Sequence, residues 1–191
     1  MNDLHRFNFA ARAWAQLTSA PVSPRGGAAI AYCKDMLFVH GGFDGEEHSE
    51  LVIYDVSSDI WKTGRLTATK KQNEIPAPRS VHTLVPLSST ADSSDGRVDL
   101  VCLFGEGHPS DIGHDGAGNF FQDGYIFSTD ISQIKDTVEV SCTRLNFTGD
   151  IPVPRGWFQA APLSGGTVLV SGGLNSDNAR LADLYVLHVE H

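Results

Sequence analysis

One frame is written three times along this chain, and it constrains the fold more than any other feature. A Pro-Arg pair opens the frame, an apolar strand runs to a glycine turn, and an acid-led strand carrying an aromatic follows. The pairs are Pro24-Arg25, Pro78-Arg79 and Pro154-Arg155. From each arginine the turn arrives after 16, 26 and 17 residues, at Gly41-Gly42, Gly105-Glu106 and Gly172-Gly173, and the long spacing holds an insertion. Acid-led strands then run from Glu50 to Tyr54, Asp123 to Phe127 and Asp183 to Leu187, and a fourth copy, Asp3 to Phe7, opens the chain. Two copies place a tryptophan seven residues after the aromatic, Phe7 to Trp14 and Tyr54 to Trp61. A short-strand unit cannot bury its apolar face alone. Repeated about every 50 residues, it buries that face against neighbouring copies.

Strands account for most of the chain. Gly27–Tyr32, Met36–His40, Leu51–Val56, Val81–Pro86, Val98–Phe104, Tyr125–Thr129, Glu139–Leu145, Phe158–Pro162, Thr167–Ser171 and Leu184–Val189 are rich in branched and aromatic residues. No apolar period of 3.6 residues persists long enough for a helix. The polar stretch Ser88–Arg97 reads as a loop inside the middle repeat. The repeat resumes in register after it, so the expectation is one segment: the end of a blade at 1–17, blades at 24–66 and 78–147, and a partial blade at 154–191.

With 41% hydrophobic and 19% charged residues, the chain can pack a core. Its net charge of −9 is spread out without a basic run, which argues against nucleic acid as a partner. No apolar stretch reaches the roughly 20 residues of a membrane span, and the first residues lack a hydrophobic signal core. Cys33, Cys102 and Cys142 follow no metal spacing, and we expect reduced thiols of an intracellular, cytoplasmic protein.

Short strands with diglycine and Tyr/Trp punctuation resemble the kelch blade of a β-propeller. A kelch blade has four strands, with the arginine before the first, the glycine turn after the second, the aromatic in the third and tryptophan in the fourth. The expected fold is therefore all-β, an incomplete propeller of about three and a half blades, where closed rings need four to eight. Open blade edges of this kind invite self-association.

Residues 104–129, FGEGHPSDIGHDGAGNFFQDGYIFST, interrupt the frame. Glu106 falls where a permissive glycine is expected. His108, Asp111, His114 and Asp115 follow it, and such carboxylates and imidazoles suit a divalent transition metal. A polar, turn-rich surface loop explains the same composition. The stretch is similar to the metal loop of plant nitrile-specifier, epithiospecifier and thiocyanate-forming proteins, six-bladed kelch propellers. That family spaces a glutamate, an aspartate and a histidine by four and four before Gly-x-Gly. Glu106 and His114 keep the overall spacing of eight, and Gly116-Ala117-Gly118, Gly124-Tyr125 and Pro154-Arg155-Gly156-Trp157 also match. The likeness spans Leu4 to Leu187 and implies ferrous iron held by Glu106 and His114. Ser110 stands at the aspartate position with Asp111 beside it. Asp111 takes the place after a one-residue shift, or His108 substitutes, or no iron binds tightly.

Arg25, Arg79 and Arg155 head equivalent strands and should share one face. They either bond neighbouring loops or clamp an anion, since guanidinium forks match sulfate and carboxylate. The likeness implies the clamp, beside iron, on a glucosinolate aglucone that is diverted to a nitrile. Trp157 and Phe43 either supply apolar walls or serve packing. Trp14 and Trp61 read as blade-core residues. Two classes of function follow: an iron-dependent, specifier-like protein acting on a small anionic substrate, or a kelch module that binds a protein partner without chemistry. Fold alone does not choose.

Overall fold

The computed structural model describes residues 1–69, 74–87, 95–113, 116–132 and 135–189. Fifteen strands make up the described secondary structure. β3 (Ala29–Cys33), β4 (Met36–His40), β5 (Leu51–Asp55) and β6 (Ile60–Ala68) form one antiparallel blade. β7 (Thr83–Pro86), β8 (Arg97–Leu103), β11 (Gly124–Asp130) and β12 (Thr137–Arg144) form the next. The hairpin β1 (Leu4–Asn8) and β2 (Ala13–Leu17) precedes them, and β13 (Gln159–Leu163), β14 (Thr167–Leu174) and β15 (Arg180–His188) follow. β9 (Glu106–His108) and β10 (Asn119–Phe120) close the insertion as a small ribbon. The protein is all-β, an incomplete kelch-type propeller, as the repeat predicts.

Consecutive blades are tied by the same backbone bonds at each seam. The Gly42 amide donates to the Arg79 carbonyl, and the Gly105 amide to the Arg155 carbonyl, each at 2.9 Å. One step along the frame, the Val81 amide donates to Gly27 O at 2.8 Å and the Trp157 amide to Val81 O at 3.0 Å. Side chains alternate across each strand, and the second full blade feeds two cores. Phe38 and Ile53 meet Leu100, Cys102 and Phe127 in one seam. Leu103, Phe104 and Ile126 meet Phe158, Val168 and Val170 in the other.

The outer rims add a contact that the repeat does not encode. β6 and β12, the long fourth strands of the two full blades, pair in parallel from Thr63↔Thr137 to Ala68↔Cys142. This merges the two blades into one eight-stranded sheet that curls around the first core and satisfies two strand edges at once. Arg65 and Glu139 form an ion pair across that junction.

Trp14 departs from the expected core role, being 70% exposed. Its hairpin pairs only with itself, so the indole packs on Phe7 at 5.1 Å but nothing covers its outer side. Trp61 is half-buried against Tyr54 and donates Nε1–H to the Thr18 carbonyl at 2.7 Å. All three cysteines are free and buried.

Candidate functional site

The repeat arginines build the same clamp three times. Arg79 places Nη1 2.7 Å from Asp123 Oδ1 and Nη2 3.1 Å from Oδ2. Arg155 repeats this fork on Asp183 at 2.6 and 2.8 Å. Each guanidinium also donates to the carbonyl of its own turn, Phe104 O at 2.8 Å and Gly172 O at 2.9 Å, and back to the residue two positions earlier. Arg25 makes a single-pronged version, with Nη1 donating to Glu50 Oε2 at 2.8 Å and Gly41 O at 3.4 Å and Nη2 to Ser23 Oγ at 2.7 Å. The acid that opens each third strand is therefore the partner of the arginine that opens the first. Arg79 and Arg155 are 0% exposed, and their forks are occupied inside the fold. This is the loop-bonding role set beside the anion clamp above.

The same bonds correct the register read from the sequence. The residue whose amide caps the acid-led strand and whose carbonyl receives the arginine is Gly41 in one blade and Phe104 in the next. Phe104 and Gly105, with φ of 54° and 97°, thus match Gly41-Gly42 (68°, 102°) and Gly172-Gly173 (64°, 108°). A left-handed phenylalanine costs about 1–2 kcal/mol. Burial of its ring against Phe158 at 5.5 Å offsets that cost. Gly105 stays glycine because a Cβ there would meet His82 Cβ at 2.5 Å.

Glu106 therefore replaces an apolar residue rather than a glycine. The bridges Gly26↔Phe43, Ser80↔Glu106 and Gly156↔Leu174 equate it with Phe43 and Leu174. It is buried, and a Cβ at Gly118 would run into its carboxylate, which gives the loop glycine a steric reason. Glu47 lies nearby, accepting from Ser80 Oγ at 3.1 Å. Burial, with the Glu106 charge adding to it, pushes the Glu47 carboxyl up to about 7, against the Ser80 bond.

The other described loop residues, His108, Ser110 and Asp111, line one open depression of the loop. Ser110 Oγ accepts from the Ile112 amide at 3.2 Å and so serves the turn. Asp111 is exposed, and His108 is exposed with Nδ1 3.0 Å from the Pro109 carbonyl. His114 and Asp115 lie outside the described residues. Among the described residues, His40, His82 and Cys102 converge as a candidate ligand set. Separations of 42 and 62 residues hide that trio from any local motif. Trp157 is 48% exposed, with φ of 51°, and sits edge-on to Phe120 at 5.9 Å. Phe43 is half-buried.

The blades and the repeated arginine clamp define an arc of a β-propeller. A kelch motif is recognised over residues 24–65, the first full blade. The chain is also 27% identical over 139 residues to the leucine-zipper-like transcriptional regulator 1 homolog of Drosophila melanogaster. The match covers 64% of this chain and 14% of that relative.

Proposed function

We propose that this chain is a protein-binding kelch platform, and that its contact surface is the face carrying the 106–120 loop. The observation that carries this reading is Trp157. It is a half-exposed indole in a fixed left-handed backbone, hydrogen-bonded to the neighbouring blade and braced by Phe120. Tryptophan held rigid and partly open is the residue type that dominates binding hot spots. Exposed Ile112 and exposed Asp111 lie on the same loop and add an apolar and an acidic group to that face. Kelch domains commonly bind proteins, and the saturated arginine forks leave little positive charge for a small anion.

The test compares cross-linked partners of the parent with those of Trp157→Asp and Ile112→Asp. A partner that both variants lose, and that a Trp14→Asp control keeps, supports the reading. An unchanged partner set overturns it.

The iron-dependent specifier reading has one specific support, the carboxylate of Glu106 buried near Glu47 at an apolar repeat position. Under that reading, anaerobic ferrous titration finds one site that Ser110→Asp tightens or that Asp111→Ala abolishes. A titration without saturable binding in all three proteins removes it.

A further inference from the structure

Three chemically active side chains meet in the seam between the two full blades. His40 ends β4, His82 immediately precedes β7, and Cys102 lies within β8. One ligand atom from each lies within 4.8 Å of the other two, and all three residues are buried. His40 Nδ1 and His82 Nε2 are 2.9 Å apart, with the rings edge to face at 5.0 Å. Phe127 covers the His40 ring at 5.1 Å.

The repeat supplies its own comparison. His40 pairs with Ala29 as Leu103 pairs with Thr83, and Cys102 pairs with Leu84 as Val170 pairs with Ala160. His82 and Phe158 both stand three residues after the blade arginine. At the next seam the three positions are therefore Leu103, Phe158 and Val170, all buried in one apolar cluster. The fold closes that seam without polar atoms, so packing does not require two imidazoles and a thiol in the first. Burying an imidazole costs free energy unless its nitrogens are hydrogen-bonded. His40 Nε2 and His82 Nδ1 have no hydrogen-bond partner among the described residues.

Neutral imidazole and thiolate are the forms that bind zinc, so binding at Cys102 would release the thiol proton. The Arg79 charge is balanced locally by its fork on Asp123.

We propose that His40, His82 and Cys102 form a zinc site that staples the second repeat blade to the first. Nitrogen and thiolate donors in this number are those zinc takes, and a tetrahedral ion keeps one position for a non-protein ligand. The site is separate from the 106–120 loop and does not depend on the function proposed for that face.

Because the trio is enclosed, the metal is added during refolding, with thiols reduced, and excess is removed by gel filtration. Zinc should be retained at about one equivalent and raise Tm. Cobalt as a probe should give a thiolate-to-metal charge-transfer band. Cys102→Val and His82→Phe carry the neighbouring seam's residues, and each should fold and lose both the band and the retained zinc. Cys33→Ala/Cys142→Ala leaves Cys102 as the single thiol and should keep the band. Absence of a cobalt band in the refolded parent overturns the proposal, whatever the variants do. Equal zinc retention by the parent and by either seam variant also overturns it.

Discussion

At the scale of single residues, the arginine clamp explains why the Pro-Arg pair recurs. Arginine offers five donors in a rigid fork, and here the donors reach a carboxylate, the turn carbonyl and the carbonyl two residues back. Burial sets how much each copy matters. Arg79→Met should cost about 3–5 kcal/mol, because it leaves Asp123 without its counter-charge in a closed site. Arg25→Met should cost only about 0–1 kcal/mol, since Glu50 is half exposed. Denaturant unfolding of the two variants checks the ranking, and equal losses would contradict it. Two carboxyls give opposite pH signatures. The Arg155 fork holds Asp183 below its usual value of 3.8. Its stabilisation is present above that value and is lost as pH falls through the lower folded value. Asp183→Asn should therefore flatten the acid limb of the stability curve. Glu47 is raised to about 7 from 4.5, so the folded state holds the extra proton. Stability should fall as pH rises from 4.5 to 7, and Glu47→Gln should remove that slope in pH-dependent thermal unfolding.

At the scale of elements, the turn after each second strand shows how much the frame tolerates. The backbone demands two successive positive φ values, and the middle blade meets that demand with Phe104-Gly105 in place of a diglycine. The first of these positions tolerates a side chain because the phenyl ring is drawn into the core. The second does not, with Ser80 O and His82 Cβ both close. Parallel pairing of β6 with β12 is the other element-level feature. The Thr63 amide donates to Asp136 O at 3.0 Å, and the Thr69 amide to Cys142 O at 3.2 Å. On blades with free rims those amides would face solvent. Hydrogen exchange should find both protected to the level of the β4 and β5 amides, and fast exchange at both would mean that the rims are apart.

At the scale of the whole molecule, the arc leaves apolar faces uncovered at both ends. Leu184 and Val186 project from one side of β15, with exposures of 63% and 52%. Ile30 and Tyr32 project from β3. β15 also has one strand edge unpaired within its sheet. Such edges and faces template pairing with another chain. The 191-residue chain should therefore self-associate with concentration in sedimentation velocity. Leu184→Lys/Val186→Lys should weaken that association without lowering Tm by more than a few degrees, because neither residue reaches a core. A monomer at all concentrations would show that these faces do not pair.

The sequence by itself determined the strand repeat and the all-β class. These depend on residue type and spacing within a single blade, where neighbours in space are near neighbours in the chain. It misplaced the middle turn by one residue, because Gly105-Glu106 looks like a diglycine until backbone φ shows that Phe104 has taken the first place. It also made Glu106 a misplaced glycine, where the bridges make it a buried acid at an apolar position. Only the tertiary structure joined β6 to β12, and only it brought His40, His82 and Cys102 together. Those contacts lie between blades. Strand period and turn chemistry are local and do not report across a seam, so such meetings are settled by how one twisted sheet stacks on the next.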